Sequence, residues 1–367
     1  MSHGHPCRVA ILVDCLVAAG AERIAVDVAC ALDRGRFDPF VIVTRYGGAL
    51  AENLEAGGVP YTILDRRHGF SPRKYARAQR LIRSADLISA HKLGSNLWGG
   101  VLSLTTGKPL VALEPSFSGV NTPMRILAYR WWIGRVARKI MCPSEIVAAS
   151  LVGIGVPPKL LEVVPNGVSL DAAEPREVAR AELGLPPDAF VVGVIARLRE
   201  EKAHEVLFQA AARLREQGRS LSVCVVGDGP RRAELERLVA ELRLDTTVVW
   251  AGERKDAKRL ARAFDVGVIC SDWEGLPVAA LETLAAGTPL VTTAVGTLPE
   301  ILDGAGTVVP VRDDAALAAA LADIMDHPDR AARAGARGRE IVQERFDFEQ
   351  MVRGFERVYA DALASER

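Results

Sequence analysis

Short apolar runs alternate with amphipathic stretches along most of the chain, and this alternation defines the predicted architecture. Continuous apolar runs of this kind are typical of parallel strands that helices cover on both faces. Two such series in succession predict an α/β protein with two doubly wound parallel sheets. The runs lie at 8–13, 40–44, 61–64, 87–90, 110–113 and 139–143 in the first series, and at 190–196, 221–226, 247–251 and 266–270 in the second. Another short strand and two helices are predicted after Gly296.

A turn signal separates the two series. Asn166-Gly167 follows the last run of the first series, and Asn-Gly dipeptides strongly favour turns. We therefore predict one domain at 1–166 and a second at 167–345. The remaining segment, 346–367, has the apolar spacing of an amphipathic helix.

The stretch Ser271–Gly287 combines two carboxylates with a predicted helix start. Glu274 lies in a turn, and Glu282 lies in the otherwise apolar helix Val278–Ala286, where a carboxylate is costly unless it is hydrogen-bonded. The helix start offers backbone N–H groups and a positive dipole end that favour an anion. This combination suits a sugar nucleotide, whose sugar hydroxyls and diphosphate would meet the carboxylates and the helix start. These residues alone fit equally well a solvated loop glutamate and a structural helix glutamate.

Composition narrows the class of protein. The chain has 367 residues, 49% of them hydrophobic, which is enough for two domains with full cores. No apolar run approaches the roughly 20 residues that span a bilayer, and the N-terminal MSHGHPC lacks a signal-peptide core. We therefore expect a cytoplasmic protein. The six cysteines are scattered without a Cys-x-x-Cys pair, and we expect buried thiols in a reducing compartment.

The zero net charge conceals a difference between the two halves. By count, residues 1–170 hold 20 Lys and Arg against 12 Asp and Glu, whereas the remainder holds 26 against 34. A basic first domain is expected to face something anionic, although charge runs are more often only solvated helix faces. We do not predict a nucleic-acid partner.

Glu274 and Glu282 resemble the E-x7-E motif of the retaining glycosyltransferases of family 4. The surrounding EGLPVAALETLAAGTPLVTT and the later Gly296 and Pro299-Glu300 also match that family, in the order expected. The resemblance covers nearly the whole chain. It implies the GT-B fold, with two Rossmann-like domains, an interdomain cleft, and a C-terminal helix that crosses back to the first domain. It also implies a nucleotide-diphosphate sugar as donor and no metal or other cofactor.

The resemblance assigns the donor site residue by residue. Arg197 and Lys202 would bind the departing diphosphate and stabilise its charge, Glu282 the ribose hydroxyls, and Glu274 the hydroxyls of the transferred sugar. By composition alone the two cations would be ordinary surface charges. Ala19 and Ala203 stand where the family usually has glycine. The remaining donor positions are Gly20, Gly227, Gly252, and the anion site at Gly275, Leu276, Pro277 and Val278.

The acceptor side departs from the family. His91 ends the fourth predicted strand, where it would contact an acceptor or brace a loop. Glu114 follows the fifth, at a position where the family commonly has histidine. We assign Glu114 a catalytic role as a base or as a shield of the cationic transition state, or a binding role toward an acceptor hydroxyl. Ser144 is expected to cap a helix.

The resemblance implies a retaining, metal-independent transferase of cell-envelope polysaccharide or glycolipid biosynthesis. Two alternatives are a sugar-nucleotide epimerase on the same fold and a non-catalytic protein that binds nucleotide sugars. Asp272 with Glu274 superficially resembles a metal-binding Asp-x-Asp motif, but protein cations would make a metal unnecessary. The sequence argues against a dinucleotide-dependent oxidoreductase, because no Gly-x-Gly-x-x-Gly motif follows the first predicted strand.

Two basic segments suggest where a lipid-linked acceptor would be met. Read as one helix, Arg125–Ile140 buries a stripe that includes Tyr129 and Ile133 and presents Leu127 and Trp131 among cations. An exposed tryptophan among cations fits peripheral binding to an anionic membrane, at the inner face, with the basic segment Arg66–Arg83 adding attraction. Isolated aromatic–basic patterns are also common on helices that bind no membrane. The predicted cations of the helix face are Arg135, Arg138 and Lys139.

Overall fold

The computed structural model describes residues 5–17, 20–66, 71–115, 122–170, 175–254 and 257–364. The chain divides into two compact units. Unit 1 comprises Met1–Asn166 and Glu349–Arg367, and unit 2 comprises Gly167–Phe348. Ala19 of the predicted glycine-rich loop and Arg67 and His68 of the basic segment lie outside the described residues.

Unit 1 is built on a parallel sheet with the strand order β3-β2-β1-β4-β5-β6-β7. The order reverses between β1 and β4, and the carboxyl ends of the strands on either side of such a reversal form a crevice. The strands are β1 (Cys7–Cys15), β2 (Phe37–Tyr46), β3 (Tyr61–Ile63), β4 (Leu87–His91), β5 (Leu110–Leu113), β6 (Lys139–Cys142) and β7 (Leu161–Val163).

Helices cover both faces of this sheet. They are α1 (Gly20–Ala31), α2 (Ala51–Ala56), α3 (Pro72–Arg83), α4 (Lys92–Thr106), α5 (Pro123–Leu127), a π-helical segment (Ala128–Ile133), α6 (Gly134–Val136), α7 (Glu145–Gly153) and the C-terminal α16 (Phe348–Ala364). Ser144 caps α7 as predicted, because its Oγ accepts a 3.4 Å hydrogen bond from the Val147 N–H.

The C-terminal helix α16 is an integral part of unit 1. Tyr359 is fully buried, and its hydroxyl donates a 2.8 Å hydrogen bond to Ser89 Oγ on β4. Glu356 accepts hydrogen bonds from the Asp33 N–H and the Arg36 guanidinium, both at 2.9 Å. The buried Tyr359 and the Glu356 ion pair thus hold the C-terminal helix in place, and the helix completes the core of unit 1.

Unit 2 contains the second parallel sheet, in the order β10-β9-β8-β11-β12-β13, which reverses between β8 and β11. Its strands are β8 (Val191–Ile195), β9 (Ser222–Val226), β10 (Val248–Gly252), β11 (Val266–Ile269), β12 (Leu290–Thr293) and β13 (Gly306–Val309). Its helices are α8 (Arg176–Glu182), α9 (His204–Glu216), α10 (Arg232–Glu241), α11 (Ala257–Leu260), α12 (Val278–Ala285), α13 (Leu298–Ile301), α14 (Asp314–Asp326) and α15 (Pro328–Arg345).

The predicted fold class is confirmed, since both sheets are parallel and doubly wound. Two short strands, β7 and β12, were not among the predicted runs. Within the described residues, no helix combines the length and the apolar character needed to cross a membrane.

The predicted helix Arg125–Ile140 is wrong at its C-terminal end. The helical path ends at Val136, and Ile140 instead pairs with Ala112 and Leu161 as part of β6. Sheet pairing decides the conformation there, because a fully buried Ile satisfies a strand as well as a helical stripe. Leu127 and Trp131 are exposed as predicted, at 56% and 50%.

Two of the cations predicted for this helix face are bound elsewhere within unit 1. Lys139 lies on β6 and pairs with Glu162 at 2.6 Å. Arg138 donates a 3.3 Å hydrogen bond to the Ala362 carbonyl on α16. Arg135 is exposed as predicted.

Candidate active site

The loops that follow β8 and β11 lie at the point where the strand order of unit 2 reverses. Arg197–Ala203 follows β8, and Ser271–Pro277 follows β11. Both loops therefore leave the carboxyl edge of the sheet side by side, where doubly wound proteins bind their ligands. Most of the predicted donor-site residues belong to these two loops.

An ion pair joins the two loops. The Lys202 ammonium pairs with the Glu274 carboxylate, and the Ser271 hydroxyl donates a 2.8 Å hydrogen bond to the same oxygen. The side chains of Lys202 and Glu274 are only 23% and 13% exposed. The Asp272 N–H also donates to the Glu201 carbonyl at 2.9 Å. The structure thus brings together Lys202 and Glu274, two of the residues predicted for donor binding.

Arg197 has a different environment from Lys202. It is partly buried, and within the described residues its guanidinium makes no hydrogen bond and no ion pair. A guanidinium presents five N–H donors that match the oxygens of phosphate groups. Arg197 therefore offers a positive charge to an anion at this edge of the sheet.

The Glu274 loop is also held from the side of β12. The Thr293 hydroxyl donates a 2.7 Å hydrogen bond to the Ser271 carbonyl, and the Thr297 N–H donates to the Gly275 carbonyl at 3.2 Å. Gly296 has a φ of +53°, and a Cβ there would lie 2.2 Å from the Gly275 carbonyl oxygen. These contacts fix the backbone that leads into α12.

Helix α12 carries the second predicted carboxylate. It begins at Val278 after the extended Pro277, and Glu282 on its second turn is only 4% exposed. The N–H groups of the first helical turn lie next to the Glu274 loop, at the positive end of the helix dipole. The predicted anion site Gly275–Val278 thus consists of the end of this loop and the first residue of α12.

The glycines after β9 and β10 permit close approach of backbone segments. Gly227 donates a 2.7 Å hydrogen bond to the Gly252 carbonyl, so the two predicted positions are adjacent. Gly227 has a φ of +146°, and a Cβ there would lie 2.0 Å from the Ala196 carbonyl oxygen. Glycine is thus required at position 227 because any side chain would collide with the backbone at the end of β8. The sequence did not reveal this reason.

A charge network that the sequence analysis missed supports the Glu274 loop. Arg312, in the loop after β13, binds both carboxylate oxygens of Asp272 and also pairs with Glu205 on α9. Glu205 also forms an ion pair with Arg231 at 2.8 Å. The Asp272 carboxylate is therefore engaged by a guanidinium. Within the described residues, no group of three or more His, Cys, Asp or Glu side chains could hold a metal ion.

At the corresponding edge of unit 1, the predicted Gly20 is the first residue of α1. The same edge carries a partly buried ion pair between Glu22 on α1 and Lys92, which follows β4 with a φ of +72°. Asp14 on β1 accepts hydrogen bonds from Thr44 at 3.0 Å and from Ser95 at 3.1 Å. Sequence analysis did not single out these polar contacts, although the position of Lys92 after a strand end could have indicated one.

His91 packs under the C-terminal helix. Its ring is 2% exposed and lies parallel to the Phe355 ring, with the centroids 6.3 Å apart. Burial, and secondarily the nearby Lys92 charge, lowers the pKa of His91 to about 3. The ring therefore stays neutral at physiological pH. The ring is covered within unit 1 at the end of β4, which favours the loop-bracing alternative over an acceptor contact.

Glu114 is likewise enclosed. It is 1% exposed, one oxygen accepts a 2.7 Å hydrogen bond from Arg125, and the other accepts from the Tyr129 hydroxyl. Burial and the adjacent Glu114 charge raise the pKa of Tyr129 well above its usual value. A buried carboxylate with both oxygens engaged anchors the segment Pro123–Ile133 to the end of β5. This arrangement favours a structural role over the catalytic and acceptor roles predicted for Glu114.

Comparisons with known proteins agree with this fold. Residues 18–172 match the family model for Glycosyltransferase Family 4, and residues 175–341 match that for Glycosyl transferases group 1. The D-inositol 3-phosphate glycosyltransferase of Saccharomonospora viridis is 32% identical over 309 residues, which are 77% of this chain and 71% of that protein. The chain belongs to this family of GT-B glycosyltransferases.

Two further proteins resemble the chain, one in sequence and one in fold. The 2-deoxystreptamine glucosyltransferase of Streptomyces kanamyceticus is 34% identical over 248 residues, 62% of this chain and 63% of that protein. Anabaena HepE, solved in complex with UDP and glucose, superposes with a TM-score of 0.86 at 22% identity and covers 96% of this chain and 99% of its own. The matched region thus spans less than two thirds of the streptamine enzyme, while the HepE likeness extends over the whole fold.

Proposed function

We propose that the protein is a retaining, metal-independent glycosyltransferase that moves a sugar from a nucleotide-diphosphate sugar to an acceptor hydroxyl. Membership of the glycosyltransferase family supports the reaction class. The observation that carries the proposal is the pairing of Lys202 with Glu274 at the reversal point of unit 2, beside Arg197.

Arg197 and Lys202 bind the diphosphate. Breaking the bond between the sugar and the phosphate leaves negative charge on the departing group, and stabilising that charge is the largest electrostatic task of the reaction. Arg197 has no competing partner among the described residues, and Lys202 lies on the same loop. Two cations supplied by the protein perform the task that a divalent ion performs in metal-dependent transferases.

The two carboxylates and the start of α12 orient the donor. Glu274, held by Lys202 and Ser271, accepts hydrogen bonds from hydroxyls of the transferred sugar. Glu282 accepts from the ribose hydroxyls, and the backbone N–H groups of Gly275–Val278 contact the phosphate oxygens. Gly227 and Gly252, adjacent at the ends of β9 and β10, leave room for the nucleotide at the same edge.

The chemistry is a same-face substitution at the anomeric carbon. The bond from this carbon to the diphosphate oxygen breaks, and a bond to the acceptor oxygen forms on the same face of the ring. The acceptor proton passes to the departing phosphate oxygen, so no enzymatic nucleophile is needed. The positive charge that develops on the ring is stabilised by the adjacent diphosphate and by exclusion of water.

The acceptor is a hydroxyl of a sugar or of a lipid-linked molecule. We place the reaction in cytoplasmic steps of cell-envelope polysaccharide or glycolipid biosynthesis. The polar edge of unit 1, with Glu22, Lys92 and Asp14, is the surface we assign to the acceptor. His91 and Glu114 have no part in this assignment, because both are enclosed.

A transfer assay tests the proposal. A panel of UDP-, GDP- and ADP-sugars is first screened for thermal stabilisation, which reaches about 2.7 kcal/mol at 100 times the Kd. The best donor is then incubated with candidate acceptors in EDTA, and the anomeric configuration of the product is read by NMR. We expect full turnover in EDTA and an unchanged configuration.

Other results would favour other functions. An inverted product, or turnover that EDTA abolishes and magnesium or manganese restores, would refute the retaining or the metal-independent part. Donor isomerised without an acceptor would identify an epimerase. Nucleotide binding without transfer or hydrolysis would identify a non-catalytic binding protein.

A further inference from the structure

Three helical segments of unit 1 contain no acidic residue, and two of them are rich in basic residues. They are Pro72–Arg83 (α3), Lys92–Thr106 (α4) and the helical path 123–136, formed by α5, the π-helical segment and α6. Together they hold nine Lys and Arg residues and no Asp or Glu. By contrast, α1 contains Glu22 and Asp27, and α16 contains Glu349, Glu356 and Asp361. The basic character of unit 1 is therefore concentrated in these segments.

The three segments cover one face of the sheet. Ile82 of α3, Leu102 of α4 and Tyr129 of the third segment are buried in the same hydrophobic cluster. Helix α4 lies between its two neighbours. Its Trp98 ring contacts the Tyr75 ring of α3 at 6.0 Å, and Gly100 approaches Trp132 so closely that a Cβ would lie 2.6 Å from the indole nitrogen. The outer sides of the segments therefore form one continuous surface, which we call the basic face.

The basic face also exposes large apolar side chains. Met124, Leu127 and Trp131 are spaced three and four residues apart, so they lie on one side of their helical segment. They are 76%, 56% and 50% exposed. On α4, Val101 and Leu104 are three residues apart and are 37% and 55% exposed. Five of the eleven exposed large apolar side chains of the described residues thus lie on this surface.

Cations lie beside Trp131 and along α3. The Arg130 and Arg135 guanidinium groups lie 5.1 and 4.7 Å from the centre of the Trp131 ring. On α3, Arg73 and Arg77 are exposed and make no ion pair with the described residues. Cations beside an exposed indole, with further apolar side chains one turn away, match the composition of the interface between lipid headgroups and acyl chains.

We propose that the basic face of unit 1 docks onto an anionic lipid bilayer. Trp131, Leu127 and Met124 enter the headgroup region, and the arginines of α3 together with Arg130 and Arg135 contact lipid phosphates. A second copy of the chain is a poor occupant, because two such faces would bring like charges together without any acidic partner. A nucleic acid would engage the cations but would leave the aliphatic side chains without an apolar partner. This inference concerns binding alone and does not rest on the proposed catalytic function.

Vesicle flotation tests the docking. The full chain is mixed with vesicles of phosphatidylcholine alone or with about 30% phosphatidylglycerol, the anionic lipid supplying the surface potential. We expect flotation only with the anionic vesicles and release as ionic strength rises from about 0.05 to about 0.5 M, since screening shortens the range of the attraction. Duplex DNA in a parallel arm reports binding that depends on charge alone.

Paired variants locate the surface. Trp131→Ser with Arg135→Glu, and separately Arg73→Glu with Arg77→Glu, should each weaken vesicle binding about tenfold or more, since each lipid-facing cation contributes roughly fivefold. The matched control, Leu363→Ser with Arg353→Glu on α16, removes one exposed apolar side chain and one cation elsewhere and should float like the wild type. Thermal melting confirms that every variant is folded.

Tryptophan emission distinguishes insertion from loose attraction. Anionic vesicles should shift the emission of the wild type to shorter wavelength, and Trp131→Phe should retain binding while losing the shift. Wild type that remains unbound at low salt overturns the proposal, as do binding by either charge-reversed pair at the wild-type level and binding to DNA but not to vesicles. An unshifted emission on bound vesicles also overturns it.

Discussion

At the scale of single residues, Arg197 and Lys202 of the candidate active site differ in whether a carboxylate already pairs with them. The Lys202 charge is offset by Glu274, whereas the Arg197 guanidinium has no partner among the described residues. An arriving diphosphate must compete with Glu274 for Lys202 but meets no competitor at Arg197. Charge-assisted bonds from a guanidinium to phosphate oxygens are also among the strongest hydrogen bonds in proteins. Arg197 is therefore expected to contribute more than Lys202 to initial donor binding.

Arg197→Ala should lower kcat/KM by roughly 100-fold or more, comparable to removal of one preorganised donor from a developing anion. Steady-state kinetics with saturating acceptor measures the effect. Arg199→Ala is the matched control, because Arg199 is an exposed cation two residues away on the same loop, and it should retain near-normal turnover. An equal loss of kcat/KM in both variants would show that the net charge of the loop matters and that Arg197 makes no specific contact with the diphosphate.

The sequence identified residues whose chemistry depends on local position, and it missed those whose role depends on tertiary partners. Lys202 and Glu274 follow strand ends in the predicted elements, and the structure places them in contact. His91 also follows the predicted pattern, yet the Phe355 ring on a distant helix covers it. Glu114 is held by Arg125 and by a tyrosine hydroxyl. No local pattern encodes either partnership.

At the scale of elements, the Glu274 loop is held from two sides. Backbone and threonine contacts fix it against β12 and the start of α13, and Arg312 ties Asp272 to Glu205 on α9. Arg312 is 44% exposed, so its contribution to global stability is expected to be small. Its bidentate grip nonetheless restrains the residue two positions before Glu274. We therefore expect Arg312 to act as a positioning residue for the proposed donor site.

Arg312→Ala should lower kcat/KM for the donor about tenfold, because small displacements of positioning groups are costly in catalysis, while leaving the melting temperature nearly unchanged. Arg219→Ala is the matched control. Arg219 makes a bidentate pair with Asp326 at 2.8 Å but precedes β9, at the opposite edge of the sheet. Loss of activity in the control, or none in Arg312→Ala, would contradict the positioning role.

Element prediction succeeded where periodicity was unambiguous. Most strands and the helix after Pro277 were recognised, whereas β7 and β12 directly adjoin turn signals, Pro165-Asn166-Gly167 after β7 and Gly287-Thr288-Pro289 before β12. At 125–140, the helical stripe and the buried strand β6 share Ile140, so periodicity alone could not place the boundary. Ala203, which replaces the usual glycine, has a φ of +47°, and this left-handed conformation explains the family preference.

At the scale of the whole molecule, each unit buries a histidine that must stay neutral. His91 is in unit 1. His204 opens α9 in unit 2, and both of its ring nitrogens are buried without a hydrogen-bond partner among the described residues. Burial is the main cause that lowers the pKa of His204 to about 4, with Lys202 and Arg231 lowering it further and Glu205 opposing them. Neither burial was predicted from the sequence, which placed His91 at a ligand-binding edge of the sheet, and no local pattern shows whether a buried ring nitrogen finds a partner.

These two histidines should make the protein sensitive to mild acid. Below about pH 6.5 the unfolded chain binds a proton at each position, while the folded protein does not until the lowered pKa is reached. The unfolded state therefore binds more protons in this window, and the free energy of unfolding falls as the pH falls. Each histidine should contribute a loss of about 1.4 kcal/mol per pH unit, or about 2 kcal/mol between pH 6.5 and pH 5.

His204→Leu isolates the contribution of unit 2. Leucine fills a similar volume without the two unpartnered nitrogens, so stability at neutral pH should be unchanged or higher. Urea unfolding of wild type and variant at several pH values between about 7 and about 5 measures the difference, and it should widen by about 2 kcal/mol toward acid. Lys202, Glu205 and Arg231 are common to both proteins, so their own titration cancels in the comparison. A constant difference across this range would mean that the buried ring of His204 accepts a proton in the folded protein.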